Sequence, residues 1–170
     1  MTHMQQNQLL ADQMVESAVA YGAAKAFHGD TQRTLQALRR GECDVCNYVR
    51  YCLARQIGDY LGQMDPLVKA VYLFDTEPIE FNEAAASPAA GISIIAQVER
   101  KTAALSSLAA ALEADLSASR RKIGCSKATP ACYFLDVHLV DEADVRQRRG
   151  YGALLDGLFT RPFQVWARHA

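Results

Sequence analysis

The sequence predicts an α+β domain: a mixed sheet of about four strands with helices packed on it, preceded by a helical N-terminal third. Three observations carry that prediction. Apolar residues recur at helical spacing through the first sixty positions, later short apolar runs are β-branched, aromatic or alternating, and a long amphipathic segment separates two of those runs. At 170 residues the chain fits one domain, with a helical segment over 1–40 and an α+β core over 41–170.

Leu10, Met14, Ala18 and Tyr21 mark the first helix, which fades near His28 and Gly29. Asp30 is an N-cap for TQRTLQALRR, and Gly41 stops that helix. Val45, Val49, Cys52, Leu53, Ile57 and Tyr60 form a third apolar stripe, interrupted by Gln56 and ending near Gly62. LVKAVYLF, residues 67–74, is β-branched and aromatic and reads as a strand. Asp65 followed by Pro66 is also a helix start, so a helix competes there. GISIIAQVE, residues 91–99, is a second strand.

Leu105, Leu108, Ala109, Leu112 and Leu116 then define a long helix ending at Gly124, with Arg120, Arg121 and Lys122 in its last turn. ACYFLDVHLVDE alternates through Tyr133, Leu135, Val137 and Leu139, the clearest strand in the chain. A short helix over Tyr151–Phe159 and a strand PFQVW complete the order.

Composition narrows function. Half the residues are apolar and 22% are charged, as in a globular chain, and the net charge of −1 gives no overall attraction for nucleic acid or an anionic membrane. No apolar run is long enough to span a bilayer, and the opening MTHMQQNQLL has neither the basic start nor the apolar stretch of a secretion signal. The expected location is the cytoplasm, where five cysteines are thiols or ligands rather than a disulfide frame. A second copy or another protein stays open as a partner.

Two motifs carry candidate chemistry. Cys43, Cys46 and Cys52 give a C-x2-C-x5-C spacing found in zinc and iron-sulfur sites. A shared metal requires the helix to begin only near Asn47, and a fourth ligand from Cys125, Cys132, His28 or His138. The plainer reading is that Cys52 is a buried residue of the apolar stripe. Cys43 and Cys46 also form a C-x-x-C at a helix start, where the dipole favours thiolate.

The second motif is QRRGYGALL, residues 147–155. Gln147, Gly150 and Gly152 resemble the Q-x-x-G-x-G turn of acyl-CoA-dependent N-acetyltransferases, although only 18 residues follow Gly152. Arg146, Arg148 and Arg149 set three fixed charges beside those glycines, a combination suited to phosphate or carboxylate. The competing reading pairs them with Asp141, Glu142 and Asp144 on a solvated turn.

The arrangement of residues 45–140, helix, VKAVYLF, second strand, helix, FLDVHLV, resembles the minimal nucleotidyltransferase fold. In that family a Gly-Ser pair follows the first strand, an Asp-x-Asp pair lies on the second and a third aspartate on the later one, binding metal ions and nucleotide phosphates. Here Asp75 and Thr76 stand in place of Gly-Ser, residues 92–98 carry no acid, and Asp136 takes the third position. The resemblance thus implies the scaffold without the full acid set, and since no motif assembles a nucleophile, a base and an oxyanion site, the expected function is a non-catalytic binding or scaffold protein, with an anion or nucleotide as its candidate ligand. An enzyme using Asp75, Glu77 and Asp136 is one alternative. A metal- or cluster-binding regulator built on the three cysteines is the other.

Overall fold

The computed structural model describes residues 3–74, 91–119, 134–157 and 162–168. Their order is α1 (His3–Ala26), α2 (Thr31–Arg40), α3 (Cys43–Met64), β1 (Val68–Phe74), β2 (Ile92–Val98), α4 (Ala103–Ser119), β3 (Leu135–Asp141), α5 (Glu142–Arg146), α6 (Gly152–Leu155) and β4 (Phe163–Ala167). The α+β class and the helical N-terminal part are as the sequence predicts.

The helix ends follow from local chemistry. Asp30 accepts a hydrogen bond from the Arg33 amide at 2.9 Å, and Gly41 closes α2 at φ 73°, a left-handed conformation that glycine adopts without a Cβ penalty. Asp65 closes α3 and accepts a bond from the Leu67 amide at 2.9 Å. That side-chain turn delivers the chain into an extended conformation, which is why residues 68–74 form a strand although Asp-Pro can start a helix. Thr102 caps α4 through the Leu105 amide at 3.1 Å. The expected extension of α4 to Gly124 lies outside the described residues.

The four strands form one mixed sheet in the order β3-β2-β1-β4. β1 is antiparallel to both β2 and β4, and β2 is parallel to β3 with α4 as the crossover. The main core lies between one sheet face and the helices. Val68, Val71, Ile92, Ile94, Ala96, Val98 and Leu135 from the strands meet Leu53, Ile57 and Leu61 of α3 and Leu105, Leu112 and Leu116 of α4. Residues of α1 and α2 join the same cluster, so the helical segment and the sheet share one core.

A second, smaller cluster covers the opposite face: Phe74, Ile95 and Val140 pack with Tyr72, Val145, Leu154 and Leu155. The helix α5 brings this second cover into place. Asp141 caps α5 through the Asp144 amide at 2.9 Å, while the Asp144 carboxylate reaches back to the Asp141 amide, a reciprocal pair that starts a helix at the strand end.

Both sheet edges are tied down by long-range side chains. Glu113 of α4 accepts from the Val137 amide of β3 at 2.7 Å, satisfying a donor on an edge strand. At the other edge Arg168 donates to the carbonyls of Gly62, Asp65 and Val68 and lies over the Trp166 ring. α3 has no basic residue in its own last turn, so Arg168 supplies the cation that its C-terminal carbonyls favour.

Candidate functional site

Alternation along β3 puts Asp136, His138 and Val140 on the face away from α4. The parallel register sets Asp136 opposite Ser93, and His138 opposite Ile95. The turn after α5 then drops Tyr151 onto the His138 ring, with centroids 3.6 Å apart and planes 17° from parallel. Phe74 of β1 closes the group at 5.7 Å from His138 and 5.3 Å from Tyr151. This is where titratable and aromatic side chains of three elements meet.

His138 Nε2 lies 3.1 Å from Asp136 Oδ2. Nε2 is buried and meets no full hydrogen-bond geometry among the described residues, yet it faces the Asp136 carboxylate, whose charge and contact both favour the protonated ring. Burial dominates its titration and pushes the imidazole below its ordinary value, against the opposing fields of Asp136 and Glu113. Nearby, the bond from Lys101 holds the Asp144 carboxyl below the usual carboxylate range, with help from the Asp141 amide and Arg149.

Both shifts have the same sign for stability. A histidine depressed in the folded state is stabilising while neutral, so stability falls as pH drops below its unfolded value of about 6.5. Asp144 stabilises above its unfolded value, and its contribution is lost as pH falls through the lower folded one. Thermal melts from about pH 7.5 to about pH 5 are therefore expected to show a loss beginning near 6.5. His138→Phe, which keeps the stack on Tyr151, removes that first loss. A melting temperature that rises through this window would mean that the Asp136 charge outweighs burial.

The arginine turn is closed on itself. Arg146 pairs with Glu142 one turn back at 3.4 Å, and Arg148 grips Asp156 with Nε at 3.0 Å and Nη2 at 2.9 Å. Of the acids expected to hold these arginines, Glu142 takes Arg146 and Asp144 is turned to Lys101. Asp156 was not foreseen. The amides of Gln147, Arg148, Arg149, Gly152 and Ala153 each donate to a backbone carbonyl within residues 143–153. Gly152 is required by close approach, since a Cβ there would lie 2.5 Å from the Asp144 carbonyl oxygen, whereas Gly150 has open space and φ +50°. Gly152 thus serves the packing of the turn, Gly150 its left-handed backbone, and those five amides are occupied within it.

The cysteines are spread along α3. That helix begins at Cys43, four residues before the start that a site shared with Cys52 requires. Cys46 and Cys52 are half-buried against the main core. Cys52 Sγ accepts from Gln56 Nε2 at 3.4 Å, and burial pushes its thiol up, away from the thiolate that binds metal. Among the described residues no group of three or more His, Cys, Asp and Glu side chains is placed to hold a metal ion. Asp75, Thr76, Glu77, Cys125, Cys132 and the side chain of Cys43 lie outside what is described.

The sequence reading missed two adjoining hollows on the helical layer. One, of about 370 Å³, runs along α2 and is lined by Phe27, Gln32, Arg33, Gln36, Arg40 and Glu42 among others. The other, of about 470 Å³, lies at the start of α3 beside Lys25, Phe27, Glu42 and Tyr48. The available signal was the seven-residue spacing of Arg33 and Arg40, which puts both on one face of α2. No helix among the described residues is long and apolar enough to cross a membrane. No family model matches the chain, and neither curated proteins nor solved structures give a match.

Proposed function

We propose that this chain is a non-catalytic binding or scaffold protein on a nucleotidyltransferase-like α+β core, and that its ligand is an anion of nucleotide kind. The observation that carries its non-catalytic half is the register of β2 against β3. Opposite Asp136 it places Ser93, and no residue of β2 is acidic, so the two strands together present one carboxylate toward the second sheet face. Metal-assisted phosphoryl chemistry uses two or three such groups to hold ions against phosphate charge. The one present is already 3.1 Å from a buried imidazole. A cytoplasmic location goes with this reading, since it keeps the thiols of α3 reduced.

The test separates binding from turnover. Nucleoside triphosphates are expected to raise the melting temperature equally with magnesium and with a chelator, because a ligand that prefers the folded state stabilises it by mass action. Mass spectrometry of the same mixtures is expected to find no product, and Asp136→Asn to leave the shift unchanged. Magnesium-dependent turnover abolished by Asp136→Asn would establish an enzyme instead. No stabilisation by any nucleotide would remove the anion-binding part of the reading.

A further inference from the structure

We infer that the two adjoining hollows between the end of α1, the outer face of α2 and the start of α3 form one bipartite site for a mononucleotide, with phosphates between Arg33 and Arg40 and the base against Tyr48. The inference rests on the anion-binding reading above and gives it a place away from both the sheet face and the arginine turn.

The two halves of the site differ in chemistry. Arg33 and Arg40 stand seven residues apart on α2, about two turns or roughly 10 Å along one face. The Arg33 guanidinium lies over the Phe27 ring at 4.6 Å from its centroid. Stacking fixes the guanidinium plane and leaves its N–H edge for an oxyanion, which a free lysine would not offer. Among the described residues Arg33 takes part in no ion pair. Arg40 touches Glu42 only at 4.0 Å, with 73% of its side chain exposed. Asp30, the other acid on the rim, already spends a carboxylate oxygen on the Arg33 amide. Gln32, just before Arg33, and Gln36, one turn on and between the arginines, add amide donors.

The adjoining hollow has an aromatic wall. Tyr48 is 38% exposed, and Lys25 and Asp44 stand on the same rim. Phe27 and Glu42 line both hollows, so the two adjoin, and Glu42 is common to the basic and the aromatic half. A sugar hydroxyl donates to a carboxylate, a phosphate is repelled by one, and a base stacks on a phenol ring. Order along the site therefore follows as phosphate, sugar, base. Each hollow lies within the roughly 300 to 1,000 Å³ typical of small-ligand sites. A bare anion would use only the first half.

The experiment is titration of the full chain with ADP and, separately, with inorganic pyrophosphate. The expected result is that Arg33→Gln with Arg40→Gln weakens both ligands at least about tenfold, the loss of about 1.4 kcal/mol. Tyr48→Ala is expected to weaken ADP and leave pyrophosphate unchanged. Arg148→Gln with Arg149→Gln is expected to change neither. If loss of the Phe27 stack lowers the melting point of the double variant too far, Arg40→Gln alone gives the same reading, since its side chain is mostly in solvent. ADP binding untouched by the α2 variants but lost in the Arg148 and Arg149 pair overturns this inference and leaves nucleotide binding standing. Equal weakening of pyrophosphate and ADP by Tyr48→Ala overturns the bipartite arrangement. Absence of ADP binding to the unaltered chain overturns both readings together.

Discussion

Replacing Leu112 with alanine is expected to lower the stability of the fold by about 2 to 5 kcal/mol, the range for truncating a buried leucine in a close-packed core. Leu112 sits on α4, which carries the parallel crossover from β2 to β3, and only 5% of its surface is exposed. Its cluster contains strand residues Ile92, Ile94 and Leu135 as well as Leu105 and Leu116 of its own helix, so truncation leaves a gap that several rigid elements would have to move to fill. Chemical denaturation measures the loss as a shift in midpoint at unchanged slope. Leu108 is a control on the same helix: it is only half-buried, and its replacement is expected to cost less. A loss below about 1 kcal/mol for Leu112 would mean that α4 does not pack across the sheet as described.

What the sequence disclosed and what it withheld divide along range of interaction. The ends of α2 were legible because the cap and the stop are contacts between near neighbours, Asp30 with the Arg33 amide and Gly41 with the last turn. β3 was legible because Leu135, Val137 and Leu139 alternate with polar residues on a half-covered edge strand. α5 was less so. Its five residues show no apolar period, and its start depends on the reciprocal bonds of Asp141 and Asp144, a pattern of one acid three residues from another that also occurs on solvated loops. The second sheet face could not be read at all, because it is covered by Val145, Leu154 and Leu155 of a segment that looked like a binding turn.

The candidate sites divide in the same way. The arginines and glycines of residues 146–152 formed a motif on paper, yet the destinations of the Arg146 and Arg148 guanidinium groups depend on Glu142 and Asp156 reaching them in space. The cysteine spacing was visible, but its meaning turned on where α3 begins, a boundary that capping by Glu42 without a side-chain bond leaves weakly encoded. Conversely, the hollows beside α2 join three helices and carry no contiguous motif. Arg33 acquires its fixed plane only because the chain reverses after α1 and returns Phe27 beneath it.

Gly62 offers the sharpest case of a residue whose role is tertiary. Its sequence context suggests a helix stop, but α3 runs on to Met64. Gly58 and Gly62 instead stand one turn apart and face Trp166 of β4. A Cβ at Gly58 would be 2.6 Å from Trp166 Cβ, and one at Gly62 would overlap the six-membered ring of the indole. Gly62→Ala is therefore expected to destabilise the chain by about 1 to 3 kcal/mol, the cost of overpacking, because the Trp166 ring has to leave its seat and disturb the Arg168 clamp beside it. Trp166→Ala is expected to cost more than about 2 kcal/mol, since it empties that seat. In the Trp166→Ala background the same glycine replacement reverses sign. With no ring to strike, alanine at position 62 gains up to about 1 kcal/mol of helix propensity over glycine. Denaturation of the two single variants and the double variant reads this coupling as a mutant cycle. Equal destabilisation by Gly62→Ala in both backgrounds would show that the glycine serves something other than the approach of Trp166, and would remove the packing of β4 against α3 as its reason.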